Sequence, residues 1–135
     1  MSRQEILVQF EQCGILPTPQ RVEVAQILLR KPQHLSAEQI IERLEAAGST
    51  VSKATVYNSL NLLTEYGLVN ECLVDPHRVF YDSTTSAHHH FYNADTGELT
   101  DISSASVKIS GLPVLPAGTQ LEGAELIVRI RNSSR

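Results

Sequence analysis

An α+β chain in two parts is the fold class this sequence predicts, and its punctuation predicts it. Helix start signals recur in the first half at Ser2, Thr18, Ser36 and Ser52, each ahead of an apolar stripe at helical spacing. Two β-prone runs then flank Asp75, Pro76, His77 and Arg78, which read as a hairpin turn. Beyond residue 82 the pattern changes to strands and turns. The boundary is therefore placed there, giving domains at 1–82 and 83–135.

Each element has a local reason. Ser2 with Glu5 three residues on is a capping box, in which each side chain satisfies the other residue's amide, ahead of Ile6, Leu7 and Phe10. Thr18 before Pro19 reads as a cap and a first helical residue, with Val22, Ala25, Leu28 and Leu29 as the stripe. Ser36 with Gln39 repeats the capping box before Ile40, Ile41 and Leu44. Ser52 opens a helix in which Val56, Leu60 and Leu63 recur, and Gly67 supplies its left-handed stop. Helices with a short turn before the last one, closed by a two-stranded wing, make a winged helix-turn-helix arrangement. In the second part "HHHFYN", "GELTDISSASVKI" and "AELIVRIR" read as strands, with Pro113 and Pro116 limiting any helix between them to a turn or two, so a small α/β domain is expected. In "ELIVRIR", Leu126, Val128 and Ile130 alternate with Ile127, Arg129 and Arg131, which suits a strand with one largely buried side.

Composition narrows the function. The chain has 135 residues, 41% of them apolar, with a polar start and no apolar run near the roughly 18 residues of a membrane span, so a cytoplasmic protein is expected. Its two cysteines, Cys13 and Cys72, stand alone and read as buried thiols. Net charge is −4, and neither half is basic, so any surface for nucleic acid must be local.

Three consecutive histidines, His88, His89 and His90, stand between turn-forming and aromatic residues. On a strand, His88 and His90 share a face and His89 looks away. Two imidazoles converging from one strand are a natural pair of metal ligands, because neutral imidazole binds iron, zinc, manganese or nickel. A polar, half-exposed strand edge is the alternative.

"LPTPQRVEVAQILL", "HLSAEQIIERL", "VSKATVYNSLNLLTEYGLV" and "YDSTTSAHHHFYN" together resemble the ferric uptake regulator family of metal-dependent repressors, over nearly the whole length. Within the family, "HHHFY" followed by "DI", and a C-terminus like "AELIVRIR", are most similar to the iron response regulator branch, whose members sense iron through haem. The resemblance implies a homodimer, paired through the second domain, that regulates transcription in iron homeostasis at an AT-rich inverted repeat in double-stranded DNA. It implies that the helix after Ser52 enters the major groove, with Tyr57 contacting bases and Ser52 and Thr55 approaching the backbone. A helix N-terminus presents N–H groups and positive dipole to phosphate, and a tyrosine ring can contact thymine methyls. Arg21 and Arg78 are candidate phosphate contacts, while Asn58 stands where many members carry arginine. Core packing is the alternative for Tyr57.

For the metal, the resemblance implies His34, Asp82, His88, His90 and Asp101 as ligands for a divalent ion, Fe(II) or Mn(II), with Zn(II) able to bind in vitro. Plain loop or turn residues are the alternatives for His34, Asp82 and Asp101. Asn93 and Thr96 stand where the family's first CxxC would fall, which implies no structural zinc. Phe91 takes the place of an acid needed for a second metal site, leaving His89 as a candidate axial ligand for haem. Two other functions share these residues: a peroxide sensor in which Fe(II) at the same ligands leads to oxidation of a ligand histidine, and a small non-haem iron enzyme using His88, His90 and Asp101. No independent base accompanies the enzyme reading, and capped helices with a wing would serve no purpose in it.

Overall fold

Ser2, Thr18, Ser36 and Ser52 each cap a helix: α1 (Arg3–Cys13), α2 (Pro19–Leu28), α3 (Ala37–Ala46) and α4 (Lys53–Glu65). Both capping boxes form. Ser2 Oγ accepts the Glu5 amide and the Glu5 carboxylate accepts the Ser2 amide, and Ser36 and Gln39 repeat the exchange. Gly67 follows α4 with φ of +75°, the left-handed geometry that glycine adopts without a Cβ penalty. This computed structural model describes residues 1–75, 77–86 and 88–133. The chain divides into two compact units, Met1–Thr85 and Ser86–Arg135.

In the first unit the helical stripes meet in one core, where Ile6, Phe10, Val22, Leu28, Ile40 and Leu60 are fully buried. Each such side chain contributes about 1.5–3 kcal/mol of hydrophobic stabilisation. The expected hairpin is present as β2 (Asn70–Asp75) and β3 (Arg78–Asp82), antiparallel, with a bulge between Leu73 and Asp75. Pro76 of the expected turn lies outside the described residues. A third strand, β1 (His34–Ser36), pairs antiparallel with β3, so the sheet runs β1-β3-β2. Three residues are too short for alternation to reveal, and Ser36 both ends β1 and caps α3. Of the two cysteines, Cys72 is buried, whereas Cys13 is only partly so.

The second unit is a three-stranded sheet, β4 (His89–Asn93), β5 (Leu99–Ile102) and β6 (Ile127–Ile130), in the order β5-β4-β6. β4 pairs antiparallel with β5 and parallel with β6. Two expectations are corrected here. The helical part of an α/β domain reduces, among the described residues, to a 3-10 turn at Ser104–Ser106, because prolines and glycines fill the stretch before β6. The strand expected along "GELTDISSASVKI" ends at Ile102. In β6 neither face is buried within one chain: Ile127 and Val128 are half-buried, and Leu126 and Ile130 are exposed. No helix among the described residues is long and apolar enough to cross a membrane.

Candidate metal centre and nucleic-acid interface

His90 and Asp101 face each other across the β4–β5 pair, and Asp101 Oδ1 lies 3.3 Å from His90 Nε2. His88, just ahead of β4, brings its Nε2 to 3.5 Å from the same oxygen, and its ring sits 4.6 Å from that of His90. The shared face expected of the two histidines is therefore present, although β4 itself begins at His89. His88 Nδ1 lies 2.8 Å from the Ser86 carbonyl, which can only accept, so Nδ1 carries a hydrogen and Nε2 is the nitrogen available to a cation. His90 has a carboxylate at each nitrogen, with Nδ1 3.2 Å from Glu125 Oε1 and Nε2 beside Asp101. Two imidazole Nε2 atoms and a carboxylate oxygen thus converge. Ligands held about 2.1 Å from one ion sit about 3 Å apart, so this donor set fits a divalent cation.

His34 and Asp82 belong to the first unit, where they are register partners on β1 and β3. His34 stands edge-on to Phe80 with ring centroids 6.2 Å apart, and Asp82 Oδ1 accepts the Thr84 amide at 2.9 Å. Pairing of Gln33 with Ser83 extends this strand contact by one residue. His89 does something else. It is buried, and its Nδ1 accepts the Leu126 amide at 2.9 Å, which places the hydrogen of a neutral ring on Nε2 and leaves no lone pair for an ion or haem in this geometry.

On α4, Val56, Ser59, Leu60 and Leu63 face the core, whereas Lys53, Ala54, Tyr57, Asn58 and Asn61 are exposed. Tyr57 is 41% exposed, so core packing is not its role. Ser52 Oγ accepts the Thr55 amide and donates to Thr55 Oγ1, so the cap uses the Ser52 hydrogen while Thr55 keeps its own hydroxyl hydrogen to donate. Arg78 is exposed at the start of β3, and Arg21 Nη1 donates to the Leu16 carbonyl at 3.0 Å.

Asn93 and Thr96 build a turn. Asn93 Oδ1 accepts the amides of Asp95 and Thr96, and Asn93 Nδ2 donates to Asn132 Oδ1. Asp95 accepts from Arg131 at 2.8 Å and from the Asn132 amide at 2.9 Å, so the β4–β5 turn is clasped to the end of β6. Sequence reasoning missed this clasp, and it missed Glu125. Partners more than thirty residues apart leave no periodic trace, and the only signal for Glu125 is an acid directly ahead of a strand.

The sequence profile of the ferric uptake regulator family matches residues 12–128. The chain belongs to the ferric uptake regulator family. Membership makes it a metal-sensing transcriptional regulator and not an enzyme. It is 33% identical over 97 residues to the peroxide operon regulator of Bacillus subtilis, covering 72% of this chain and 67% of that one. It is 29% identical over 98 residues to a peroxide-responsive repressor of Staphylococcus aureus, covering 73% and 66%. The matched stretch thus spans about two thirds of these relatives. Among solved structures, the ferric uptake regulator of Pseudomonas aeruginosa with manganese matches with a TM-score of 0.72 at 27% identity, over 99% of this chain and all of that one.

Proposed function

We propose that the protein is a homodimeric, iron-responsive repressor whose first unit acts as a winged helix on an AT-rich inverted repeat. In this reading a divalent ion, Fe(II) or Mn(II), binds at His88, His90 and Asp101, with His34 and Asp82 as further ligands from the first unit. The observation that carries it is the convergence of His88 Nε2 and His90 Nε2 on Asp101 Oδ1, each ring oriented by an acceptor at its other nitrogen. The exposed Tyr57 and Asn58 on α4 and Arg78 on the hairpin support the DNA-binding part, with Arg21, Ser52 and Thr55 as backbone contacts. Half-buried and exposed apolar residues on β6 support pairing of two second units, since about 50 residues alone bury little surface.

Ligands drawn from both units would let the ion set the spacing of two α4 helices, which must match half-sites a whole number of helical turns apart. Linkage then requires DNA to tighten metal by the factor by which metal tightens DNA. The test is fluorescence anisotropy of a labelled AT-rich inverted repeat with apo, Mn(II) and Fe(II) protein. Equal DNA affinity in all three forms would overturn the reading.

Similarity to two peroxide-responsive regulators favours a second reading of the same site. A ligand histidine would then gain one oxygen atom from hydrogen peroxide, whose O–O bond breaks and whose other oxygen leaves as water, in protein loaded with Fe(II). Peptide mass spectrometry of the segment with His88 and His90 separates this from plain metal sensing: unmodified histidines after peroxide would exclude it.

A further inference from the structure

We propose that Glu125 is a positioning residue for His90, holding the ring in the tautomer whose Nε2 lone pair points at Asp101. The weight of this for sensing rests on the metal site proposed above, but the contact itself does not. His90 is 2% exposed, so bulk water cannot decide which ring nitrogen carries the hydrogen. Its two nitrogens face two carboxylates, with Nδ1 3.2 Å from Glu125 and Nε2 3.3 Å from Asp101. A neutral imidazole has one hydrogen to give, and placing it on Nε2 would block the position that a cation needs. A carboxylate at Nδ1 accepts that hydrogen and so leaves Nε2 as the ligating nitrogen. His88 obtains the same orientation from the Ser86 carbonyl.

The backbone around Glu125 is built to hold it in place. The His90 amide donates to the Leu126 carbonyl at 3.1 Å, the Leu126 amide donates to His89 Nδ1, and His90 is in register with Ile127. Residues 125–127 are thereby locked alongside the histidine run. Glu125 reaches His90 from the end of a parallel strand, through a contact that spans 35 residues of chain.

The experiment compares the full-length protein with its Glu125→Ala and Glu125→Gln variants, using two readouts. Nitrogen-15 ring shifts of His90 are recorded in metal-free protein, and Mn(II) affinity is measured by calorimetry. The wild type is expected in the Nδ1–H form. Glu125→Ala is expected to show mixed tautomers and Mn(II) binding about 10–100-fold weaker. Glu125→Gln, whose side-chain oxygen still accepts, should keep the tautomer and lose less affinity. If Glu125→Ala does not fold, Glu125→Leu, similar in size and without an acceptor, takes its place. An unchanged tautomer with unchanged affinity in the acceptor-free variant overturns the proposal. So does loss of Mn(II) as complete as in His90→Ala together with an altered Co(II) absorption spectrum in Glu125→Gln, which would make Glu125 a ligand. If the wild type binds no Mn(II), the metal reading fails, and the ring shifts of metal-free protein still decide whether Glu125 sets the tautomer.

Discussion

The Tyr57 hydroxyl donates to Glu38 Oε1 across 3.2 Å, joining the exposed face of α4 to the first turn of α3. Desolvation and then the neighbouring Glu38 charge push the phenol above its ordinary value, so Tyr57 remains a neutral donor at physiological pH. A raised folded value means that its stabilising contribution is complete below the ordinary tyrosine range and is lost as pH climbs through the folded value. Phenolate absorbance, taken as wild type minus Tyr57→Phe, should rise at higher pH than for a free tyrosine. Glu38→Gln should move that rise part of the way back, since desolvation persists. An unmoved rise would remove Glu38 as a contributor.

Sequence discrimination should follow Tyr57 and overall affinity should follow Arg78. Tyr57→Ala is expected to lose about 1–3 kcal/mol of preference at one base step, whereas Arg78→Ala should weaken all sequences alike and flatten the salt dependence. Competition binding against single-base variants of an inverted repeat measures both. Wild-type preference in Tyr57→Ala would put the reading surface elsewhere.

The histidine run should divide by role. His90→Ala and Asp101→Ala are expected to abolish Mn(II) binding. His89→Ala should keep it while losing about 0.5–1.5 kcal/mol of stability, because the partly buried bond from the Leu126 amide is lost. Calorimetric titration with Mn(II) beside urea denaturation reads the two effects separately, and equal Mn(II) loss in His89→Ala and His90→Ala would sink the division.

The clasp between the β4–β5 turn and the end of β6 is made of hydrogen bonds, so removing metal should not open it. Asp95→Ala is expected to cost about 1–2 kcal/mol, since Asp95 accepts from both Arg131 and the Asn132 amide. Hydrogen exchange of the second unit should rise in Asp95→Ala and stay unchanged in wild type treated with EDTA. Exchange that rises with EDTA alone would mean that a metal holds this end of the sheet.

The features legible in the sequence are those written over three or four residues. Ser2, Thr18, Ser36 and Ser52 announce their helices because a cap and its partner amide lie three positions apart. The shared face of His88 and His90 follows from the two-residue repeat of extended chain. Pairings set by tertiary contact were illegible: β1 is too short to alternate, and the parallel docking of β6 on β4 depends on a partner 37 residues away. The Tyr57 ring was ambiguous for another reason, since an aromatic beside Val56 on a helix fits core and surface equally until the packing of α2 and α3 decides which stripe is inside.

Docking of β6 beside β4 also orders events in time. β4 and β5 are joined by a short turn and can pair early, bringing His90 opposite Asp101. Joining β6 closes a much longer loop, and chain entropy penalises that closure more. His90 therefore acquires its two carboxylate neighbours in sequence, Asp101 from the hairpin and Glu125 only when the slower parallel strand arrives. Pulse-labelled exchange of the Leu126 amide, whose acceptor is His89 on the neighbouring strand, times that second step.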